Sequence, residues 1–352
     1  MNNLEENFDS ISPYADEEVS DVMKSLINDK KFHDSISAQI YPSIFKIIPG
    51  LSSFLFRKTF TKSFGNSKSI EQFQNNLAPF VEEMIKRTTD GFSYSGSENL
   101  SSLPTLYISN HRDIALDSLF LNFARFVEGQ KTVRIAIGDN LLDSGFFEKL
   151  MRLNKSFVVH RNIKGAKETL IKLGNLSSYI SHSLTADQES TWIAQSEGRA
   201  TDGHDFTDPA VLKMLYLASR KTLEINEWVK QVNLTPVSIS YEYDPLDITK
   251  AIDWEDGEEL SYEENNQRDL RELVKGIKEP KGRVHLHIGK NINEKIKNIK
   301  DLAKLIDSEI ITNYKLWPSN YISANALGLS SETENFEGKE KSFLGRFKSL
   351  DT

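Results

Sequence analysis

The chain of 352 residues contains no cysteine. That removes disulfide staples, thiolate-bound zinc, iron–sulfur clusters and a thiol nucleophile from consideration. No run of 18 apolar residues occurs, so no segment reads as a membrane-spanning helix. The first residues are acidic and lack a basic segment followed by an apolar run, which is not the pattern of a secretory signal. Positive charge is in short supply: 43 Lys and Arg stand against 51 Asp and Glu, for a net charge of −8. A general nucleic-acid binder needs a surplus of cations on its binding face, so no nucleic-acid partner is expected. A Gly-x-Ser-x-Gly nucleophile elbow is also missing, which argues against an esterase of the α/β-hydrolase type.

What is present is a large apolar complement, 38% of the chain with 20 Phe, enough for a substantial core. Apolar runs predict strands at 105–109, 133–137, 156–160, 190–194, 234–241 and 283–288. Between them, helical periodicity predicts helices at 114–127, 141–153, 165–182, 208–218, 264–277 and 295–312. Strands alternating with helices imply crossover connections. The expected fold is therefore α/β, with a mostly parallel central sheet flanked by helices and an N-terminal helical segment. Residues 1–90 read as the helical region, 91–328 as a catalytic domain, and 329–352 as a polar linker with a basic tail. Within the catalytic domain, 91–100 reads as a polar, turn-rich connection.

Two stretches have the makings of a membrane-contacting surface. Residues 41–64 are rich in Ile, Leu and Phe, and their only charges are Lys46, Arg57, Lys58 and Lys62. They read either as helices packed on the core or as a basic amphipathic segment lying in an anionic interface. In the tail, Phe343, Leu344, Phe347 and Leu350 share one helical face, with Lys341, Arg346 and Lys348 around it. This is either a small interfacial helix or a frayed terminus. The acidic run over 244–263 reads as a solvated loop rather than a cation site.

The chemistry-bearing residues gather where strands are expected to end. Residues 105–117 run from a short apolar strand into Asn-His-Arg-Asp, followed at once by a helical pattern. Loops leaving the carboxyl ends of strands form the ligand crevice of α/β sheets. His111 in such a loop is a candidate general base, its tautomer set by a nearby carboxylate. Two acids compete for that place, Asp113 and Asp117. Asp113 has an alternative use as the N-cap of the following helix, which favours Asp117. Arg112 lies between them. A second strand ends in Arg161 and Lys164 just before a helix start, a suitable arrangement for a phosphate. A third runs into Glu197-Gly198-Arg199, where Gly198 allows close backbone approach to a ligand. The strand at 234–241 reads as a wall of the site, and His285 with His287 as a solvated strand face.

The order of these four clusters resembles the glycerolipid acyltransferase superfamily, nearest its bacterial glycerol-3-phosphate and dihydroxyacetone-phosphate acyltransferase branch. The resemblance spans roughly residues 90–325 and rests on Asn-His-Arg-Asp-Ile-Ala-Leu-Asp at 110–117, the approach through 146–153 to 157–165, Glu-Gly-Arg at 197–199, and Thr-Pro-Val at 235–237. The chain departs from that pattern in two places. Five residues separate His111 from Asp117, where the family has four. Ser196 precedes Glu197, and Arg199 follows Gly198 directly. The resemblance implies acyl transfer from acyl-CoA or acyl-carrier protein to a hydroxyl of glycerol phosphate or a lysophospholipid. An acceptor hydroxyl on a lyso-aminolipid, or a non-catalytic lipid-binding protein that kept the fold, are the other readings. His111 with Asp117 or Asp113 would be catalytic. Arg112, Arg161, Lys164, Glu197, Gly198 and Arg199 would bind substrate. No metal or cofactor is implied. The expected location is cytoplasmic, peripheral on the inner face of the membrane against anionic lipid.

Overall fold

The computed structural model of the chain describes residues 8–142, 145–161, 163–256, 262–329 and 339–350. Five helices come first: α1 (Asp16–Asn28), α2 (Lys30–Ile40), α3 (Pro42–Ile47), α4 (Pro49–Phe64) and α5 (Ile70–Thr88). Strands and helices then alternate through β1 (Phe92–Ser95), β2 (Leu106–Ser109), α6 (Leu116–Val127), β3 (Arg134–Gly138), α7 (Phe146–Leu153), β4 (Ser156–Val159), α8 (Ala166–Thr185) and β5 (Thr191–Ala194). The remainder is α9 (Pro209–Tyr216), α10 (Ile225–Gln231), β6 (Thr235–Tyr241), α11 (Asp247–Asp256), α12 (Tyr262–Lys278), β7 (Val284–Ile288), α13 (Ile299–Thr312), α14 (Pro318–Ala326) and α15 (Lys339–Leu344). The fold is α/β, its strands pair mostly in parallel, and a helical segment precedes them. Among the described residues no helix is long and apolar enough to cross a membrane.

The chain divides into two compact units. The first comprises residues 1–82 and 134–163. Its core is largely aromatic: Phe32, Phe56, Phe60, Phe64 and Phe73 pack with Val19, Met23 and Leu26 of α1 and Leu153 of α7. These residues follow the helical period in α1 and α4, which is why one face of each is buried. The opposite side of α4 and the turn before it leave Ile47, Ile48, Leu51 and Phe54 exposed. In the same unit β3 and β4 pair in parallel.

The second unit comprises residues 83–133 and 164–352. Its strands lie in the order β1-β7-β6-β2-β5. β2 is hydrogen-bonded on both sides, to β5 and to β6, both parallel. All four of its residues and all seven of β6 are buried, as expected for strands covered on both faces. The pairing of β6 with β7 is antiparallel, and β1 pairs parallel with β7.

Three sequence expectations change here. Residues 92–95, expected within a turn-rich connection, form β1; Phe92 packs on Phe120 at 4.7 Å between ring centroids, and the strand is held by β7. The acidic run expected as a solvated loop contains α11 instead, with residues 257–261 outside the described ones. Three of its acids are matched by cations: Asp244 by Arg112 and by Lys250 of α11 itself, Asp247 by Arg346, and Asp253 by Arg268. His285 and His287 do share a face, but it is half-buried and bonded rather than solvated. Ser93 Oγ lies 2.8 Å from His285 Nδ1, and Ser95 Oγ lies 3.0 Å from His285 Nε2 and 2.8 Å from His287 Nδ1. The pairing of β1 with β7 supplies those serines. Burial holds the His285 imidazole at a pKa of about 4, so it stays neutral at pH 7.

The tail is helical only over α15; at Gly345 it tightens into a 3₁₀ turn. The shared helical face expected over 343–350 is thereby interrupted. Phe343 is buried and stacks on Tyr243, and Arg346 pairs with Asp247 while its guanidinium lies 4.5 Å from the Tyr243 ring centre.

Candidate functional site

The site begins where β2 stops pairing. After Ser109 the backbone leaves β6, and the Asn110 side chain takes over the ladder. Its amide donates to Ile239 O at 2.9 Å, and its oxygen accepts from Ile239 N at 2.8 Å. A side chain that copies a strand rung lets the chain turn without orphaning buried polar groups. The next residue, His111, is fixed through its backbone at both ends. Its N–H donates to Asp205 Oδ2 at 3.1 Å, and its carbonyl accepts from Ala200 N at 2.9 Å. Asp205 is held in turn by the buried Gln195, whose Nε2 donates to Asp205 Oδ1 at 2.7 Å. The His111 ring lies edge-on to Trp192, with centroids 5.9 Å apart.

Asp117 sits in the first turn of α6 and points back at the loop. Its Oδ2 lies 2.9 Å from His111 Nδ1 and also accepts from the backbone N–H of Arg112 at 2.7 Å and of Asp113 at 3.0 Å. Its Oδ1 accepts from the Tyr241 hydroxyl at 2.7 Å. The carboxylate has no solvent exposure. Burial by itself would raise its pKa. The hydrogen bond and charge of His111, the Asp113 amide and Tyr241 outweigh that and hold it below the usual carboxylate range.

Asp113 is the other kind of acid. Its Oδ1 accepts from Ala115 N at 2.9 Å and Leu116 N at 2.8 Å, capping the start of α6. Its Oδ2 is buried with no hydrogen-bond partner among the described residues and lies against Gly276 of α12, where a Cβ would come within 2.5 Å of it. Burial first, and the charge of Asp117 second, push its pKa up, toward the neutral acid. The two carboxyls are therefore separated by their surroundings: Asp113 caps the start of α6, and Asp117 reaches His111.

The expected substrate-binding cations are placed as follows. Arg112 Nε donates to Asp244 Oδ2 at 2.7 Å and Nη1 to Asp202 O at 2.9 Å, so its guanidinium braces the loop after β6. It lines an open cleft of about 720 Å³ together with Asp202, Asp244, Asp247, Lys250 and Trp254. Arg199 is bound by two carboxylates of α12, Asp269 at 3.3 Å and Glu272 at 2.5 Å. Glu197 is exposed, and Gly198 has φ of +80°, a left-handed conformation that favours glycine. Lys164 is exposed in this same unit. Arg161 belongs to the first unit, where its N–H donates to Asp139 Oδ1 at 3.1 Å. Its guanidinium lies so close over Gly138 that a Cβ there would come within 2.7 Å of its Nε. His111, Arg112, Asp113 and Asp117 thus converge, while Arg199 is anchored to α12. Sequence reading passed over Asp205, Gln195 and Tyr241, since none stands beside His111 in the chain.

The acyltransferase family model matches residues 91–206. No curated protein matches the chain. Among solved structures, the 1-acyl-sn-glycerophosphate (LPA) acyltransferase PlsC from Thermotoga maritima is 12% identical with a TM-score of 0.41, the match covering 80% of this chain and 96% of that one. Chloroplast FtsY from Physcomitrella patens is 11% identical with a TM-score of 0.24, covering 86% of this chain and 97% of that one.

Proposed function

With residues 91–206 matching the acyltransferase family, we propose that the protein moves a fatty acyl group from acyl-CoA or acyl-carrier protein to a hydroxyl of glycerol phosphate or a lysophospholipid. The observation that carries this reading is the buried His111–Asp117 pair. Asp117 at Nδ1 leaves Nε2 as the nitrogen that meets the acceptor hydroxyl. In the reaction, Nε2 takes the hydroxyl proton as the oxygen attacks the thioester carbonyl. The C–O bond forms, the C–S bond breaks, and the departing thiolate receives the proton from the imidazolium. Asp117 steadies that cation without taking its proton. No enzyme nucleophile is needed.

The acceptor is tested by following thiol release from acyl-CoA with glycerol phosphate, lysophosphatidate and a lyso-aminolipid in turn. The reading expects a phosphate acceptor to be used at least about ten-fold faster than the aminolipid, as a charge-assisted contact requires. Equal rates, or preference for the aminolipid, would overturn the phosphate assignment. The exposed Ile47, Ile48, Leu51 and Phe54, flanked by Lys46, Lys58 and Lys62, form the surface we assign to an anionic membrane. Phe54→Glu combined with Ile47→Glu is expected to abolish sedimentation with phosphatidylglycerol vesicles while leaving thiol release with a soluble acceptor intact. Undiminished sedimentation would remove this surface from membrane contact.

A further inference from the structure

Tyr241 is the last residue of β6, a strand that the sequence suggests is only a wall. The side chain is 3% exposed, and its ring packs edge-on against Phe120 of α6, with centroids 6.0 Å apart. Its hydroxyl is the sole donor to Asp117 Oδ1 among the described residues, whereas Oδ2 serves three donors. The two oxygens therefore have different duties. Oδ2 ties the His111 ring to the loop backbone, and Oδ1 ties the carboxylate to the sheet.

We propose that Tyr241 is a positioning residue of the His111–Asp117 pair, its hydroxyl fixing the carboxylate plane and setting how much negative charge Asp117 presents to the imidazole. This rests on the acyl-transfer reading for its consequence in catalysis, but not for its physical effect on His111. Burial, followed by the charges of Asp117 and Asp113, pushes the phenol well above its usual range, so it remains a donor throughout the working pH range. A carboxylate that shares its charge with a donor on one oxygen is a weaker acceptor on the other. Removing the hydroxyl leaves a fully buried oxygen unpartnered and concentrates charge toward His111, which favours the imidazolium. The other charged or titratable groups around the pair are Asp113, Asp205, Asp244, Arg112, Arg199 and Tyr314, and such a substitution replaces none of them.

The test compares wild type with Tyr241→Phe, which keeps the ring packing on Phe120, and with 3-fluorotyrosine at the same position, a more acidic and stronger donor. Two readouts are used: the pH dependence of kcat for thiol release, and the ring titration of His111 followed by proton NMR. Tyr241→Phe is expected to lower kcat about ten-fold with little change in KM, and to move both the acid limb and the ring titration to higher pH. The fluorinated protein is expected to move both to lower pH. If neither variant moves the ring titration, the proposal is overturned. If Tyr241→Phe does not fold, the fluorinated protein decides by the same criterion. Absence of thioester chemistry in wild type would defeat the acyl-transfer reading, yet the ring titration would still judge Tyr241.

Discussion

Replacing His111 by alanine is expected to lower acyl transfer from a thioester by about 10²–10⁴-fold, the usual contribution of a positioned general base. The fold should persist, for a physical reason. Asp117 keeps three donors without the imidazole, namely the backbone N–H groups of Arg112 and Asp113 and the Tyr241 hydroxyl. The backbone of residue 111 keeps its bonds to Asp205 and to the amide of Ala200. Thiol release from acyl-CoA, measured beside a thermal melt, separates loss of chemistry from loss of structure. Near-native activity in the alanine variant would end the assignment of His111 as the base.

The second large effect belongs to Asp117. An asparagine there still accepts at its oxygen from the loop amides or from Tyr241. With its oxygen on the loop amides, it also still accepts from His111 Nδ1–H, but the negative charge that stabilises the imidazolium is gone; with its oxygen on Tyr241, the NH₂ group faces His111 and the contact that fixes the tautomer is lost as well. Asp117→Asn is expected to cost about 10³–10⁴-fold in kcat. Asp113→Asn should cost less than about ten-fold, because its oxygen still caps Ala115 and Leu116 and burial already pushes the acid toward its neutral form. Steady-state kinetics on the two variants decide between the acids. A greater loss from Asp113→Asn would exchange their roles.

The five-residue gap between His111 and Asp117 is where local reasoning alone left the acid open. Capping chemistry favoured Asp117, since a carboxylate just before a helix tends to accept from its first amides. The sequence does not show how Asp117 reaches back across five residues to His111. A turn over 113–115 precedes α6, which begins at Leu116 with Asp117 in its first turn. The expectation for Arg199 had a different weakness. Glu-Gly-Arg shows a cation beside a flexible turn, but the two carboxylates that hold it come from α12, about seventy residues further along the chain. A longer separation, 124 residues from Asp117, hides Tyr241 from any reading of residues 105–117.

Strand and helix periods, being local, specified nearly all of the alternating pattern and hence the α/β class, because burial on one or both faces dictates which residues recur. The strand-end location of His111 and its nearby acids was equally a property of the chain itself. β1 was not, because a four-residue edge strand with two serines is held by its pairing to β7 rather than by its own apolar surface. Nor was the acidic run, which contains α11 and whose carboxylates meet Arg112, Arg268 and Arg346 from other parts of the chain. The bracing of Arg112 by Asp244 and the Tyr241 bond to Asp117 both depend on β6 lying beside β2. Hydrogen bonds and ion pairs act over about 3 Å, so tertiary packing alone decides which distant residues come within that reach.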